Sequence, residues 1–275
     1  MVGLNALSAT EVDMFWVVQE NVANEEAYKS FIQALDDLNL PYTIVKVVPF
    51  SRELIPDVNP TNPVVSWGSV SMENIAVAKG WNPGTFFNEN FDQRVWTRIY
   101  GDDMLNADAE FHEFSQIPAF EGTRFIRPVE DKKVFAGMVV HGEEIENWKV
   151  AVLRYSDGYT TLRPETVVGV SGVKDIAMEW RFFVVDGKVV TGSRYRQWGI
   201  SDYRRLDDTT GPWAFAQKMT EKWQPAKAFV IDIASPASTP HEYKVIEINC
   251  INAAGFYCAD VRAVVEAVER CFGGN

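Results

Sequence analysis

Apolar positions along the chain are spaced in runs, at helical intervals and in alternation, and the three patterns fall in different stretches. Residues 12–18, VDMFWVV, form a short apolar run rich in Val and aromatics, which predicts a strand. The following ENVANEEAYKSFIQALDDLNL carries apolar residues at helical spacing. Asn24 stands where a side chain can cap the first amides, Glu25 and Glu26 suit the positive end of the helix dipole, and Leu40-Pro41 marks the exit. TIVKVVPF predicts a second strand and PVVSW a third, joined by the Pro-rich IPDVNPTNP, and Gly68-Ser69 leads into a helix, SMENIAVAKG. Strands alternating with helices imply a parallel sheet in a small α/β domain, placed at residues 1–110.

From Trp81 to Ile117 the chain is loop-rich and aromatic, with an acidic stretch, DDMLNADAEFHEF, expected to be helical; this is the passage between domains. Beyond it the pattern turns to alternation. TRFIRPV, KVFAGMVV, WKVAVLRY and ETVVGV are expected as strands, so residues 111–275 are expected to form an α+β domain on antiparallel sheet. WRFFVV and KVVTGSRYR flank Asp186-Gly187, a two-residue hairpin signal. A helix, GPWAFAQKMTEKW, precedes strands AFVIDIAS and EYKVIEIN, and an amphipathic helix, ADVRAVVEAVERCF, comes last.

Composition adds boundaries. With 275 residues, 47% apolar and 23% charged, the chain can bury a sizeable core. Its 26 basic and 38 acidic residues leave a net charge of −12, which argues against bulk attraction to nucleic acid or anionic lipid. No run approaches the roughly 18 apolar residues of a membrane span, and MVGLNALSAT lacks the basic region of a secretory signal, so a cytoplasmic location is expected. Cys250, Cys258 and Cys271, with no CxxC pair, suggest neither a disulfide framework nor a zinc site; free, mostly buried thiols are expected. His112, His141 and His241 fall in no triad or metal spacing.

The chemistry concentrates in FVIDIASPASTPHEYKVIEINCINAAGFY, residues 229–257. Residues two apart on a strand share a face, so Glu247 and Asn249 project together, and antiparallel pairing could bring Asp232 beside them. An ordinary hairpin would turn such carboxylates to solvent. Here the apolar residues on both sides argue for burial, where two carboxylates side by side call for a divalent cation; Mg²⁺, which accepts few protein carboxylates, suits them. Upstream, Glu179 and Arg181 enter one hairpin strand while Arg194 and Arg196 leave the other, two apart and therefore expected on one face as a guanidinium pair.

The order FIRP, then E-x-R-FFVVDGKVV followed by Arg, then Asp in an apolar strand, then VIEIN, resembles the ATP-grasp superfamily, and within it the glutathione-synthetase type of carboxylate–amine ligase. RPVEDKKVFAG is similar to a clade of short ATP-grasp proteins of phage and bacterial genomes, for which peptide or amino-acid ligation has been proposed. The likeness covers about residues 120–260, and implies a lid subdomain at about 120–175 and a core at about 176–275. It implies that Asp232, Glu247 and Asn249 hold two Mg²⁺ ions on the ATP phosphates. Arg127, where a Lys is usual, or Lys133 would touch the α and β phosphates. Val170 and Ser171 would meet adenine through the backbone, and Glu179 and Arg181 would lie near the nucleotide. Arg194, with Arg181, would act on the transferred phosphoryl group. Asn252, Arg196 and Ser69 are the residues expected to meet substrate.

The activity so implied is Mg-ATP-dependent joining of a carboxylate to an amine through an acyl phosphate, with small molecules or peptides as substrates. Two alternatives stay open: a phosphotransferase on the same fold, and a nucleotide-binding protein that engages a host protein without catalysis, for which the aromatic WNPGTFFNENF offers a surface.

Overall fold

The structure, a computed structural model, describes residues 14–22, 25–49, 51, 53–86, 91–130, 134–155, 161–252 and 254–273; Asn24 and Lys133 lie outside the described residues. Two compact units emerge. The first takes the chain up to Phe87, Ile251–Phe256 and the stretch from Asp260 onward, and the second takes Asn88–Cys250 with Tyr257–Ala259. The boundary therefore falls before the expected residue 110, and the last helix belongs with the first unit.

In the first unit β1 (Phe15–Gln19) pairs in parallel with β2 (Tyr42–Val47) and β4 (Val64–Trp67), and β3 (Leu54–Ile55) and β5 (Pro83–Gly84) complete the order β3-β2-β1-β4-β5. Helices on both faces keep the central strands buried, which is why β1 and β4 read as unbroken apolar runs. Phe31 of α1 (Glu25–Asp37) stacks on Trp67 at 5.0 Å and meets the edge of Trp16 at 5.3 Å. The last helix, α6 (Val261–Phe272), packs on α1; Asp260 caps it by accepting from the amide of Ala263 at 3.1 Å. That packing of its apolar stripe explains its membership of this unit. The remaining helix, α2 (Val70–Lys79), follows β4 and ends at Gly80, whose φ of 66° is left-handed.

The second unit holds two antiparallel sheets. One runs β12-β11-β10-β13-β14, built from β10 (Ile176–Val185), β11 (Lys188–Gln197), β12 (Ile200–Arg205), β13 (Ala228–Pro236) and β14 (Lys244–Cys250). Its hairpin turn, Asp186-Gly187, has both φ angles positive, as the sequence signal requires. Helices α3 (Gln93–Tyr100) and α5 (Gly211–Lys222) cover one face, burying Trp96, Tyr100 and Met219 with Trp180, Phe182, Ile231 and Ile233. The other sheet runs β6-β9-β7-β8, from β6 (Glu110–Glu113), β7 (Thr123–Pro128), β8 (Met138–His141) and β9 (Val167–Ser171), and it packs its own core of Ile126, Val140, Ile145 and Val152 against α4 (Gly142–Tyr155).

Several elements differ from expectation. WKVAVLRY is the end of helix α4: its short alternation suggested a strand, but Ile145, Lys149 and Val152 are the buried positions, and Glu143 and Glu144 occupy the first turn. DDMLNADAEFHEF holds a 3-10 turn and strand β6 in place of a helix, and α3 interrupts the stretch expected as loop. Of KVFAGMVV, the described residues 134–137 are not strand, and β8 begins at Met138. Strand β12, unforeseen, is mostly polar and mostly exposed. Cys258 is exposed and Cys250 and Cys271 are half-buried, so the cysteines are less buried than expected. No described helix is long and apolar enough to cross a membrane.

Candidate active site

The antiparallel register of β13 and β14 sets Asp232 opposite Glu247. Asn249, two residues along, donates its amide nitrogen to Glu247 Oε1 at 2.8 Å and to Asp232 Oδ2 at 3.4 Å. On the other side of β13, Arg181 of β10 stands opposite Asp232 and grips it with two bonds, Nε to Oδ1 at 2.9 Å and Nη2 to Oδ2 at 2.7 Å. Glu247 receives a second cation, Arg127 of β7, with Nη1 3.0 Å from Oε2. The guanidinium of Arg127 lies over the Trp96 ring, 5.2 Å from its centroid. Thus the three oxygen-bearing residues expected to bind metal meet, and two of the arginines expected near phosphate already hold their carboxylates.

Burial and charge pull these carboxylates apart. Asp232 is 1% exposed. Burial pushes its carboxyl up to about 6; Arg181 offsets this in part, while the charges of Glu247 and Glu179 add to it. For Glu247 burial acts in the same direction, but Arg127, the Asn249 hydrogen bond and Arg181 outweigh it, and its carboxyl sits below the ordinary value. Of the two facing carboxyls, Asp232 is the one raised and Glu247 the one lowered. An added cation would relieve that strain.

The donor set fits Mg²⁺. Asp232, Glu247 and Asn249 offer two carboxylates and one amide, a set of hard oxygens of the kind Mg²⁺ accepts. Asn249 now turns its nitrogen to both carboxylates; rotating the amide by half a turn would present its oxygen instead.

Arg194 and Arg196 do not form the expected pair. A bulge between them sets Arg196 opposite Glu179 and Arg194 opposite Trp180, neighbours on opposite faces of β10. Arg196 bonds Glu179 at 3.3 Å, on the face of Arg181 and Asp232. Arg194 goes to the other face, where it pairs with Asp202 and lies 3.7 Å from Met178 Sδ. A shift of one residue in the ladder turned the side chain over.

Tyr195, inside the bulge, donates its hydroxyl to Glu179 at 2.8 Å and stacks on Tyr257 at 5.0 Å. Arg181 lies over both rings, at 5.9 and 5.4 Å. Neither tyrosine nor Trp96 carried a signal in the sequence, because each acts through a neighbour that spacing does not connect. Val170 is paired on both sides, with Glu110 and Ile126, so its backbone groups serve the sheet; Ser171 ends that strand, and the next amide, of Gly172, donates to Asp108 at 3.0 Å. Ser69 and Asn252 belong to the first unit, where the Ser69 amide and hydroxyl both donate to Gln19 Oε1 at 2.9 Å.

The sequence profile of an ATP-grasp domain, the third family of its clade, matches residues 62–268. The chain belongs to this ATP-grasp family. No curated protein matches it in sequence. Solved structures match the ATP-grasp fold over most of its length. D-cycloserine synthetase DcsG is 9% identical, with a TM-score of 0.61 over 94% of this chain and 99% of that one. D-alanine–D-alanine ligase from Bacillus anthracis is 12% identical, with a TM-score of 0.57 over 94% and 98%. The ATP-grasp ligase PsnB, complexed with a phosphomimetic variant of a minimal precursor, Mg and ADP, is 11% identical with a TM-score of 0.54 over 94% and 98%. This ATP-grasp chain thus carries the α/β and antiparallel α+β architecture expected of it.

Proposed function

We propose that the protein is an Mg-ATP-dependent carboxylate–amine ligase. The observation that carries this reading is the in-register pair Asp232–Glu247, spanned by Asn249 and gripped by Arg181 and Arg127. The fold it shares with ATP-grasp ligases supports the same class of reaction.

Asp232, Glu247 and Asn249 would hold the metal. Mg²⁺, when bound, supplies positive charge that neutralises the phosphate oxygens of ATP. Arg127 and Arg181 would then exchange their carboxylates for phosphate oxygens. Both are partly buried, with side chains 13% exposed, and cannot shed their charge, so each favours pairing with one anion or another. Trp96 beneath Arg127, and Tyr195 and Tyr257 beneath Arg181, keep the two guanidinium planes oriented.

A substrate carboxylate attacks the γ-phosphorus, forming the acyl phosphate as the bond to ADP breaks. The amine then attacks the acyl carbon, phosphate leaves, and the amine proton passes to solvent or phosphate; amide, ADP and phosphate result. Arg181 and Arg196, on one face, are the cations suited to the developing charge, and Arg194 is not.

The test is ADP release with paired acids and amines. A ligase releases ADP in step with amide only when both are present; a phosphotransferase needs one acceptor alone. Thermal unfolding with Mg-ATP comes first: saturation at about 100 times Kd adds roughly 2.7 kcal/mol. Glu247→Gln should diminish that gain. No stabilisation of the native chain at millimolar Mg-ATP would sink the proposal.

A further inference from the structure

Helix α3 carries a buried acceptor that no donor meets. Gln93, its first residue, is 2% exposed, and its side-chain oxygen Oε1 accepts no hydrogen bond among the described residues. A buried carbonyl without a donor costs stability, whereas an apolar side chain of the same shape does not. The position of this carboxamide is fixed from two sides. The Gln93 amide donates to the Val129 carbonyl at 2.8 Å, which ties the start of α3 to the residue that follows β7. Gln93 Oε1 also fills the space over Gly169 of β9, where a Cβ would stand 2.8 Å from it. A side chain at 169 would displace the carboxamide.

Gly169 stands directly opposite Arg127, and opposite residues of antiparallel strands share a face. Gln93 therefore occupies the face from which Arg127 projects. One turn further along the same side of α3, Trp96 lies beneath the Arg127 guanidinium. Arg127 thus has two acceptors on its face of the sheet: the charged Glu247 Oε2, 3.0 Å from Nη1, and the neutral Gln93 Oε1. A guanidinium presents its N–H donors as a planar fork, and rotation of the side chain can carry them from one acceptor to the other. A metal ion on Glu247 would both occupy that carboxylate and repel Arg127.

We propose that Gln93 is the positioning residue of Arg127: it accepts the guanidinium once the charge of Glu247 is neutralised, and so holds the plane toward the nucleotide phosphates. This rests on the metal–nucleotide reading of the site and adds to it a handover between two acceptors. While Glu247 is charged and free of metal, the ion pair prevails.

The charge of Glu247 can be removed without metal, by Glu247→Gln, so melting temperatures of single and double variants test the handover directly. Gln93→Met keeps the length of the side chain and removes the acceptor. It should leave the melting temperature of the native chain unchanged or raised, and should lower that of Glu247→Gln by about 3 °C. Gln93→Glu should restore the Glu247→Gln chain, because the charge returns beside Arg127 on its other acceptor. A glutamine that only packs would cost the same in both backgrounds; that equality, or no rescue by Gln93→Glu, would overturn the proposal. Titration with Mg-ATP is the second arm, in which Gln93→Met should bind about fivefold more weakly than the native chain. Unchanged affinity would likewise overturn it. Absence of Mg-ATP binding to the native chain, with the melting temperatures coupled as stated, would condemn the nucleotide reading and leave the handover standing; Mg-ATP binding without that coupling would condemn the handover alone.

Discussion

Arg127 occupies a position where charge is only part of the requirement. Its guanidinium pairs with Glu247 and lies flat over Trp96, and a lysine ammonium would keep the charge but lose the plane. Arg127→Ala should therefore cost about 3 kcal/mol of stability, because a half-buried carboxylate loses its ion-pair partner. Arg127→Lys should cost about 1 kcal/mol, since the charge pairing survives and the planar contact does not. Urea unfolding of the three chains checks the order. Asp232 gives a pH-dependent test. Its folded-state carboxyl is raised to about 6, from an ordinary 3.8, so the folded chain holds a proton that the unfolded chain releases. The stability tied to this group is full below pH 3.8, declines as pH rises, and reaches its lowest level above about 6. Urea unfolding across that window should show the native chain losing stability relative to Asp232→Asn, and Mg²⁺ should flatten the difference; a rising difference would contradict the assignment. Asp232, Glu247 and Asn249 were legible in the sequence because a period of two and apolar neighbours define the face. The sides taken by Arg194 and Arg196 were not, because a bulge leaves no trace in residue spacing.

Among the elements, those with a strong local signal were legible: the Asp186-Gly187 hairpin, the β13–β14 pair and α6. Helix α4 was misread because Trp148 to Tyr155 alternates over a window too short to separate the two periods, and β12 was missed because ISDYRR has no apolar face to bury. The turn before β12 explains the rest. Trp198 and Gly199, φ 50° and 76°, form a two-residue connection in which Asn or Gly would be favoured at the first position. Trp198 is 60% exposed and recovers little by burial. Trp198→Asn should accordingly raise stability by about 0.5 to 1 kcal/mol, through relief of left-handed strain. Thermal melts can detect this as an increase of about 1 to 4 °C; a fall of that size would mean that the indole packs more than its exposure indicates. Asp92 caps α3 by accepting from the Arg94 amide at 2.8 Å, and Asp92→Ala should cost about 1 kcal/mol in the same assay.

At the scale of the molecule, the chain builds its first unit from both ends. Helix α6 brings Val261, Val264, Val265, Ala267 and Val268 into that unit's core, the Trp16 indole and the Met14 amide donate to Glu269, and Phe272 meets Phe86 at 4.9 Å between centroids. Five buried aliphatic side chains at roughly 1 to 2 kcal/mol each are on the order of the net stability of a whole domain. The second unit has cores of its own, one under α3 and α5 and one under α4. A chain ending at Ala259 should therefore lose the first unit and keep the second. Limited proteolysis would then degrade the N-terminal stretch and leave a resistant fragment spanning α3 to β14, whereas both units of the intact chain resist. Survival of the shortened chain at full length would mean that the parallel sheet is stable without its last helix. Glu269→Ala probes the same dependence more gently: it removes the acceptor of two hydrogen bonds, at about 1.5 to 3 kcal/mol for bonds to a charged group. Hydrogen exchange should then show lowered protection of the β1 amides in the first unit and unchanged protection of the β10 and β13 amides, on the strands that carry Arg181 and Asp232.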